Sequence, residues 1–501
     1  MLFHSYEFIF VFLPITLAGF ILLSNKKDKK NLALIWLVVA SMVFYASWLL
    51  QYSILLIAST IFNYYIGHLF DKNREKQRIN IFLLCFALTI NLLTLGYFKY
   101  INFGIENINV FLSNPIPNLD IVLPIGISFF TFYQIIYLID VYNDQVEKHN
   151  LLEYFLFVTF FPYITAGPIV LQKEILPQLK NIYYFNIDDL VIGLSILSIG
   201  LFKKLVLSDG IAPYANAIFD TANGSLIGAA DGWLGVIAYT LQLYFDFSGY
   251  SDMAIGLGCM FGIKLPLNFN SPLKSVSIID FWRRWHITMT RFFTMFVYSP
   301  LAIRLMRMSL RKAYNPAFTF TMAIALPIIF TFTLAGLWHG AGWTFVIFGL
   351  IHGVALAVNH AWKELRLISP PPVVGWTITM GVVVVGLLFF RAESLATAWS
   401  ILQGMVGINE AFISGNVTKL LDLYTVLPWI VLLSTIVLFA PNTQELMRNF
   451  SVTTDSLEED LPWPSWLAWQ PNVGWALFCT ILFLVAILSI SERTEFLYYK
   501  F

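Results

Sequence analysis

The chain has 501 residues, 58% of them hydrophobic and 12% charged, with thirty Lys and Arg set against thirty Asp and Glu. Soluble domains carry about 25% charged residues, so a water-soluble enzyme, a disordered chain and a nucleic-acid-binding module are excluded, and the zero net charge singles out no partner. A mean hydropathy of +0.73 leaves a polytopic membrane protein in contact with lipid.

The first apolar run, Phe8 to Leu23, has no Lys or Arg before it and Lys26, Lys27, Lys29 and Lys30 after it. A signal peptide has the reverse order. Lysines stay on the cytoplasmic side, so the N-terminus is expected outside. The runs 32–50 and 52–70 return the chain to that side at Lys72, Arg74, Lys76 and Arg78. Further spans are expected near 79–98, 122–141, 151–170, 188–207, 232–260, 317–336, 343–362, 373–390, 423–440 and 473–490. This gives roughly 10–13 membrane helices, with 151–170 bent or re-entrant because it holds Pro162, Gly167 and Pro168. Two segments read as outside loops: 99–120, and the acidic stretch with Glu445, Asp455, Glu458, Glu459 and Asp460. The three cysteines, Cys85, Cys259 and Cys479, lie far apart and form neither a disulfide framework nor a metal clip.

The stretch from Gly262 to Pro316 carries Lys264, Lys274, Arg283, Arg284, Arg291, Arg304, Arg307, Arg311 and Lys312 against Asp280 alone. It is expected to be cytoplasmic. It suits contact with anionic lipid headgroups, and equally a landing site for a phosphorylated cytosolic molecule held by forked Arg hydrogen bonds.

Polar groups inside hydrocarbon are expensive, so three clusters carry most of the chemical information. The first, Tyr244 to Asp252, embeds Asp246, Ser248, Tyr250, Ser251 and Asp252 in an apolar span. Its hydroxyls suit helix cross-linking, and an ionised Asp246 or Asp252 needs a partner. The second, Phe281 to Ile287, reads as one amphipathic helix started by Ser277 and Asp280. Trp282, Trp285, Met289, Phe292 and Phe296 make an aromatic stripe, Asp280 pairs with Arg283 or Arg284, and His286 lies beside the stripe. The third, Ala335 to Trp343, places Gly336, Gly340 and Gly342 around Trp338 and His339, so a helix is expected to end there as the link of a hairpin. An uncharged link rich in aromatics fits a turn lining an internal chamber. His339 is then either a general base or a histidine closing a turn, and both readings stand on spacing alone. His352 and His360 read as core or interfacial. No nucleophile elbow, phosphate loop, zinc pair or dinucleotide fingerprint is present, nor the broken-helix halves of a transporter.

At these residues the sequence resembles the membrane-bound O-acyltransferase family, in its bacterial polysaccharide-acetylating branch. The matching stretches are Leu123 to Phe132, Phe160 to Ile169, Tyr244 to Gly256, Phe281 to Thr290, Gly336 to Gly342, Phe390 to Glu393 and Pro441 to Gln444. The resemblance implies a single all-α membrane domain, a ring of tilted helices around a central tunnel. Residues 1–120 would form N-terminal helices, 121–362 a catalytic core and 363–501 C-terminal helices. It implies catalytic roles for His339 and His286, and acetyl-CoA as donor without a metal. Trp338 and Trp343 would wall the chamber, with Arg283, Arg284, Arg291, Asp246 and Ser248 toward donor or substrate. The expected reaction moves acetyl across a bacterial inner membrane toward an extracytoplasmic polysaccharide such as alginate, through a periplasmic partner. D-alanyl or peptidoglycan O-acyl transfer by the same fold is the alternative, and a transporter or flippase the competing class.

Overall fold

A computed structural model describes residues 1–24, 30–72, 76–180, 182, 185–222, 227–408, 423–455, 463–490 and 496–497. Lys26, Lys27, Lys29, Arg74, Glu458, Glu459 and Asp460 lie outside them. The protein is an all-α polytopic membrane protein. Among the described residues there is no strand, only an isolated bridge between Leu265 and Thr453. Among the described residues, six helices are long and apolar enough to cross a membrane: 50–70, 77–109, 187–221, 316–339, 343–364 and 372–391. Five shorter apolar helices, 8–23, 30–46, 127–142, 425–439 and 473–488, fall on expected spans.

The chain divides into two compact units, each discontinuous in sequence. The first comprises Met1–Leu201, Tyr250–Leu267 and Met447–Arg493. Its helix Leu151–Thr159 starts with a reciprocal Asn150–Glu153 capping box and stops at Phe160, whose ψ of 116° is not helical. The expected span 151–170 is therefore broken after two and a half turns, because Pro162 removes a donor just where a further turn would need it. Gly126, at φ +69°, starts the helix Ile127–Tyr142, and a Cβ there would stand 2.4 Å from the Ile164 carbonyl oxygen. Two of the sequence motifs thus meet backbone to backbone, and Tyr133 Oη donates to the Tyr163 carbonyl at 3.1 Å.

The second unit comprises Phe202–Gly249, Asn268–Leu446 and Thr494–Phe501. Six helices position the candidate site: α1 (Ala229–Met260, of which 229–249 belong to this unit), α2 (Ile278–Arg284), α3 (Ile287–Phe293), α4 (Leu326–His339), α5 (Trp343–Glu364) and α6 (Pro372–Arg391). The α4–α5 hairpin is as expected, but its glycines act differently. Gly340 and Gly342 have extended backbones, φ −158° and −168°, that any residue adopts. Gly336 lies inside α4, where a Cβ would stand 2.2 Å from the Phe345 carbonyl oxygen, and a Cβ on Gly349 would stand 2.2 Å from that of Phe332. The missing side chains let two backbones touch, a use of glycine frequent between membrane helices.

Candidate active site

The single amphipathic helix expected from Ser277 onward is two helices. Ser277 Oγ accepts from the Asp280 N–H at 3.2 Å and starts α2, as its sequence indicates. The chain then leaves helical geometry at Trp285, and His286 takes φ +44° and ψ +51°, a left-handed conformation that L-residues rarely hold. A stripe at helical spacing cannot register such a break, because the aromatic residues on either side still face the same core.

His286 is fully buried, and burial holds its imidazole down to about 3 from the usual 6.5, so the ring is neutral at working pH. Its Nδ1 lies 3.0 Å from Oδ1 of Asn268. Phe247 meets the ring edge-on with centroids 4.7 Å apart. The first cluster therefore reaches the site through Phe247, not through its carboxylates.

His339 is the last residue of α4 and 6% exposed. Its ring centroid is 6.2 Å from that of His286, so two residues far apart in sequence pack into one aromatic cluster. Trp338 stands 4.9 Å from His339 and 6.2 Å from His286. The rest of the wall is Phe348 and Phe390, centroids 5.9 and 5.1 Å from His339. Trp343, expected in that wall, is 54% exposed. It opens α5, where the first turn leaves the hairpin link, while Phe348, five residues on, faces inward.

Beside this pair is a cleft of about 200 Å³ lined by Trp282, Arg283, Phe293, Tyr298, Ala335 and His360 among others. Ala335 is one helical turn before His339, and Phe293 packs 6.2 Å from Trp338. Arg283 is exposed at this cleft, whereas Arg284 is held by Asp280, Nε to Oδ1 2.9 Å, and by the Asn270 carbonyl at 3.4 Å. Arg291 is half-buried on α3. His352 is buried, and its Nδ1 accepts from Trp282 Nε1–H at 3.3 Å, in line with a core role. His360, read from sequence as core or interfacial, lies on the cleft.

Asp246 is fully buried and tied to Lys204 Nζ at 2.7 Å, and its other oxygen accepts from the Leu497 N–H at 3.2 Å. Lys204 also bonds Asp209 at 2.7 Å. Asp246 is thus engaged inside the unit, with the partner its burial demands, and Ser248 beside it is buried as well. The structure brings His286, His339, Trp338 and Arg283 to one region of the unit. Asn268, Phe247, Phe348 and Phe390 join them without having been singled out by sequence, although Phe247 and Phe390 belong to motifs already noted.

A pair of buried imidazoles within one aromatic cluster, next to a cleft lined by an arginine, suits acyl transfer to a hydroxyl. Residues 32–402 match the model of MBOAT, the membrane-bound O-acyltransferase family. The chain belongs to that family. As a membrane-bound O-acyltransferase it is 38% identical to the peptidoglycan O-acetyltransferase of Helicobacter pylori, over 82% of this chain and 80% of that protein. It is 34% identical to the probable alginate O-acetylase AlgI of Pseudomonas aeruginosa, with all of both chains covered. A more distant relative, the teichoic acid D-alanyltransferase of Streptococcus thermophilus, is 29% identical over 52% of this chain and 64% of that protein.

Proposed function

We propose that this O-acyltransferase moves acetyl from acetyl-CoA toward hydroxyls of an extracytoplasmic polysaccharide such as alginate. It would work in a bacterial inner membrane, with its N-terminus outside and a periplasmic partner completing the transfer. The observation that carries the reading is the His286–His339 pair, two buried imidazoles with centroids 6.2 Å apart beside the Arg283 cleft. The acetyl preference is supported by the Helicobacter pylori and Pseudomonas aeruginosa relatives, both named for acetyl transfer.

In this reading His339 takes the proton from the attacking hydroxyl. The hydroxyl oxygen forms a bond to the thioester carbonyl carbon, the carbon–sulfur bond breaks, and the proton passes from His339 to the departing CoA thiolate. An acyl group carried on His339 itself in transit is the variant of this scheme. His286 is too weakly basic to store that proton and serves to orient the reacting groups. Trp338, Phe348 and Phe390 keep water from the thioester, and Arg283 is placed to hold a CoA phosphate, with Arg291 as a second candidate.

The test is CoA release from labelled acetyl-CoA by the purified full chain in detergent, with a soluble polysaccharide present to supply the attacking hydroxyl. The native protein should turn over donor, and His339→Ala should lower the rate about 10²–10⁴-fold while eluting as the same folded species. A native protein that releases no CoA uses a different donor, such as a D-alanyl carrier. Unchanged turnover in His339→Ala removes this residue from the chemistry.

A further inference from the structure

We infer that Asn268 is the positioning residue for acyl transfer, holding the His286 ring in one orientation and with the hydrogen on Nδ1. This rests on the acyl-transfer reading above. Asn268 is fully buried in the segment before α2, far from either histidine in sequence. Three groups converge on its Oδ1: the Thr288 main-chain N–H at 3.3 Å, Thr288 Oγ1 at 2.9 Å and His286 Nδ1 at 3.0 Å. A main-chain N–H can only donate, so the amide atom facing it is oxygen, and the orientation of this amide is fixed by the backbone and not assumed. An oxygen carrying no hydrogen can only accept, so Nδ1 of the neutral imidazole must donate. The lone pair is thereby assigned to Nε2.

The backbone supports the same conclusion. The Asn268 carbonyl accepts from the Ile287 N–H at 3.0 Å. Ile287 and Thr288 are the first residues of α3, whose leading N–H groups have no partner within the helix. His286 occupies the cap position but makes no side-chain capping bond. Asn268 caps the helix in its place and so holds the left-handed backbone of His286.

The segment that carries Asn268 is itself anchored. The Asn270 N–H donates to the Arg284 carbonyl at 2.9 Å, Asn442 Nδ2 donates to Asn270 and Ser271 at 3.0 Å each, and Lys274 Nζ donates to the Ala440 carbonyl at 2.8 Å. Trp376 Nε1–H adds a bond to the Leu273 carbonyl at 2.9 Å. An oxygen fixed this way does not follow the imidazole if it turns, so it dictates where the ring points.

The test is a double-mutant cycle on CoA release, with Asn268→Ala, His286→Ala and the combination, each checked for native elution and thermal unfolding. Asn268→Ala should lower kcat at least about ten-fold with KM for acetyl-CoA changed far less, and should cost nothing further in the His286→Ala background. Thr288→Val, which removes one donor to the same oxygen but leaves the histidine contact, should keep kcat near native. Multiplying losses in the double variant, or native kcat in Asn268→Ala, would overturn the inference. Native turnover in His286→Ala would instead overturn the acyl-transfer role of the pair itself. Where Asn268→Ala does not fold, Asn268→Asp retains the accepting oxygen and sets a carboxylate against the imidazole. Its activity should match the native enzyme at high pH and fall on the acid side at a higher pH than native, and a superimposable profile would overturn the inference.

Discussion

His286 occupies a backbone conformation that few L-residues hold, and its ring is uncharged where a surface histidine would titrate. The second property has a measurable sign. Its folded value near 3 lies below the unfolded 6.5, so between these pH values the unfolded chain binds the extra proton. Stability from this residue is complete above about pH 6.5 and is lost as pH falls toward 3. Detergent-solubilised native protein should therefore lose more melting temperature between pH 7.5 and 5 than His286→Asn does. Parallel losses in the two proteins would show that the ring is not buried as described. The position of this histidine beside an aromatic stripe is legible in the sequence, since hydrophobic spacing reports which residues share a face. The bend at His286 and the grip of Asn268 are not legible, because a left-handed cap built from a distant segment leaves no periodic trace.

Helix by helix, the hairpin of α4 and α5 is the element the sequence discloses best. Two apolar runs of crossing length and an uncharged glycine-rich link leave little choice. What the pattern conceals is which glycine does what: Gly340 and Gly342 sit in extended backbone, while Gly336 and Gly349 mark backbone contact. Gly349→Leu should consequently destabilise the fold by more than the usual 1–3 kcal/mol of an overpacked core, roughly estimated, because the obstacle is a main-chain carbonyl that cannot rotate away. Thermal unfolding in detergent reads this directly, and a melting temperature equal to native would contradict the close packing. The ion pair of Lys204 with Asp246 offers a second test within this unit. Lys204→Met removes the counter-charge of a buried carboxylate and should cost about 3–5 kcal/mol, and combining it with Asp246→Leu should recover much of the loss. Sequence alone shows that Asp246 requires a partner. It does not name Lys204, since helix periodicity holds no information on contacts between segments.

At the scale of the whole chain, basic residues are concentrated in one segment and chemistry in one unit. Arg283, Arg304, Arg307, Arg311 and Lys312 are all exposed, as a surface that meets phosphate groups requires. If acetyl-CoA is drawn in by these charges, its KM should climb several-fold as ionic strength rises and the screening length falls from about 30 Å at 0.01 M to about 3 Å at 1 M, with kcat little changed. A KM indifferent to salt would assign donor capture to apolar contacts alone. The glycine-mediated contact between α4 and α5 has a mechanical consequence for how the site admits its reactants. Two main chains pressed together cannot be prised apart cheaply, so the pair behaves as a stiff strut with His339 fixed at its tip. If His339 does the chemistry, a disulfide engineered across the strut should leave turnover intact.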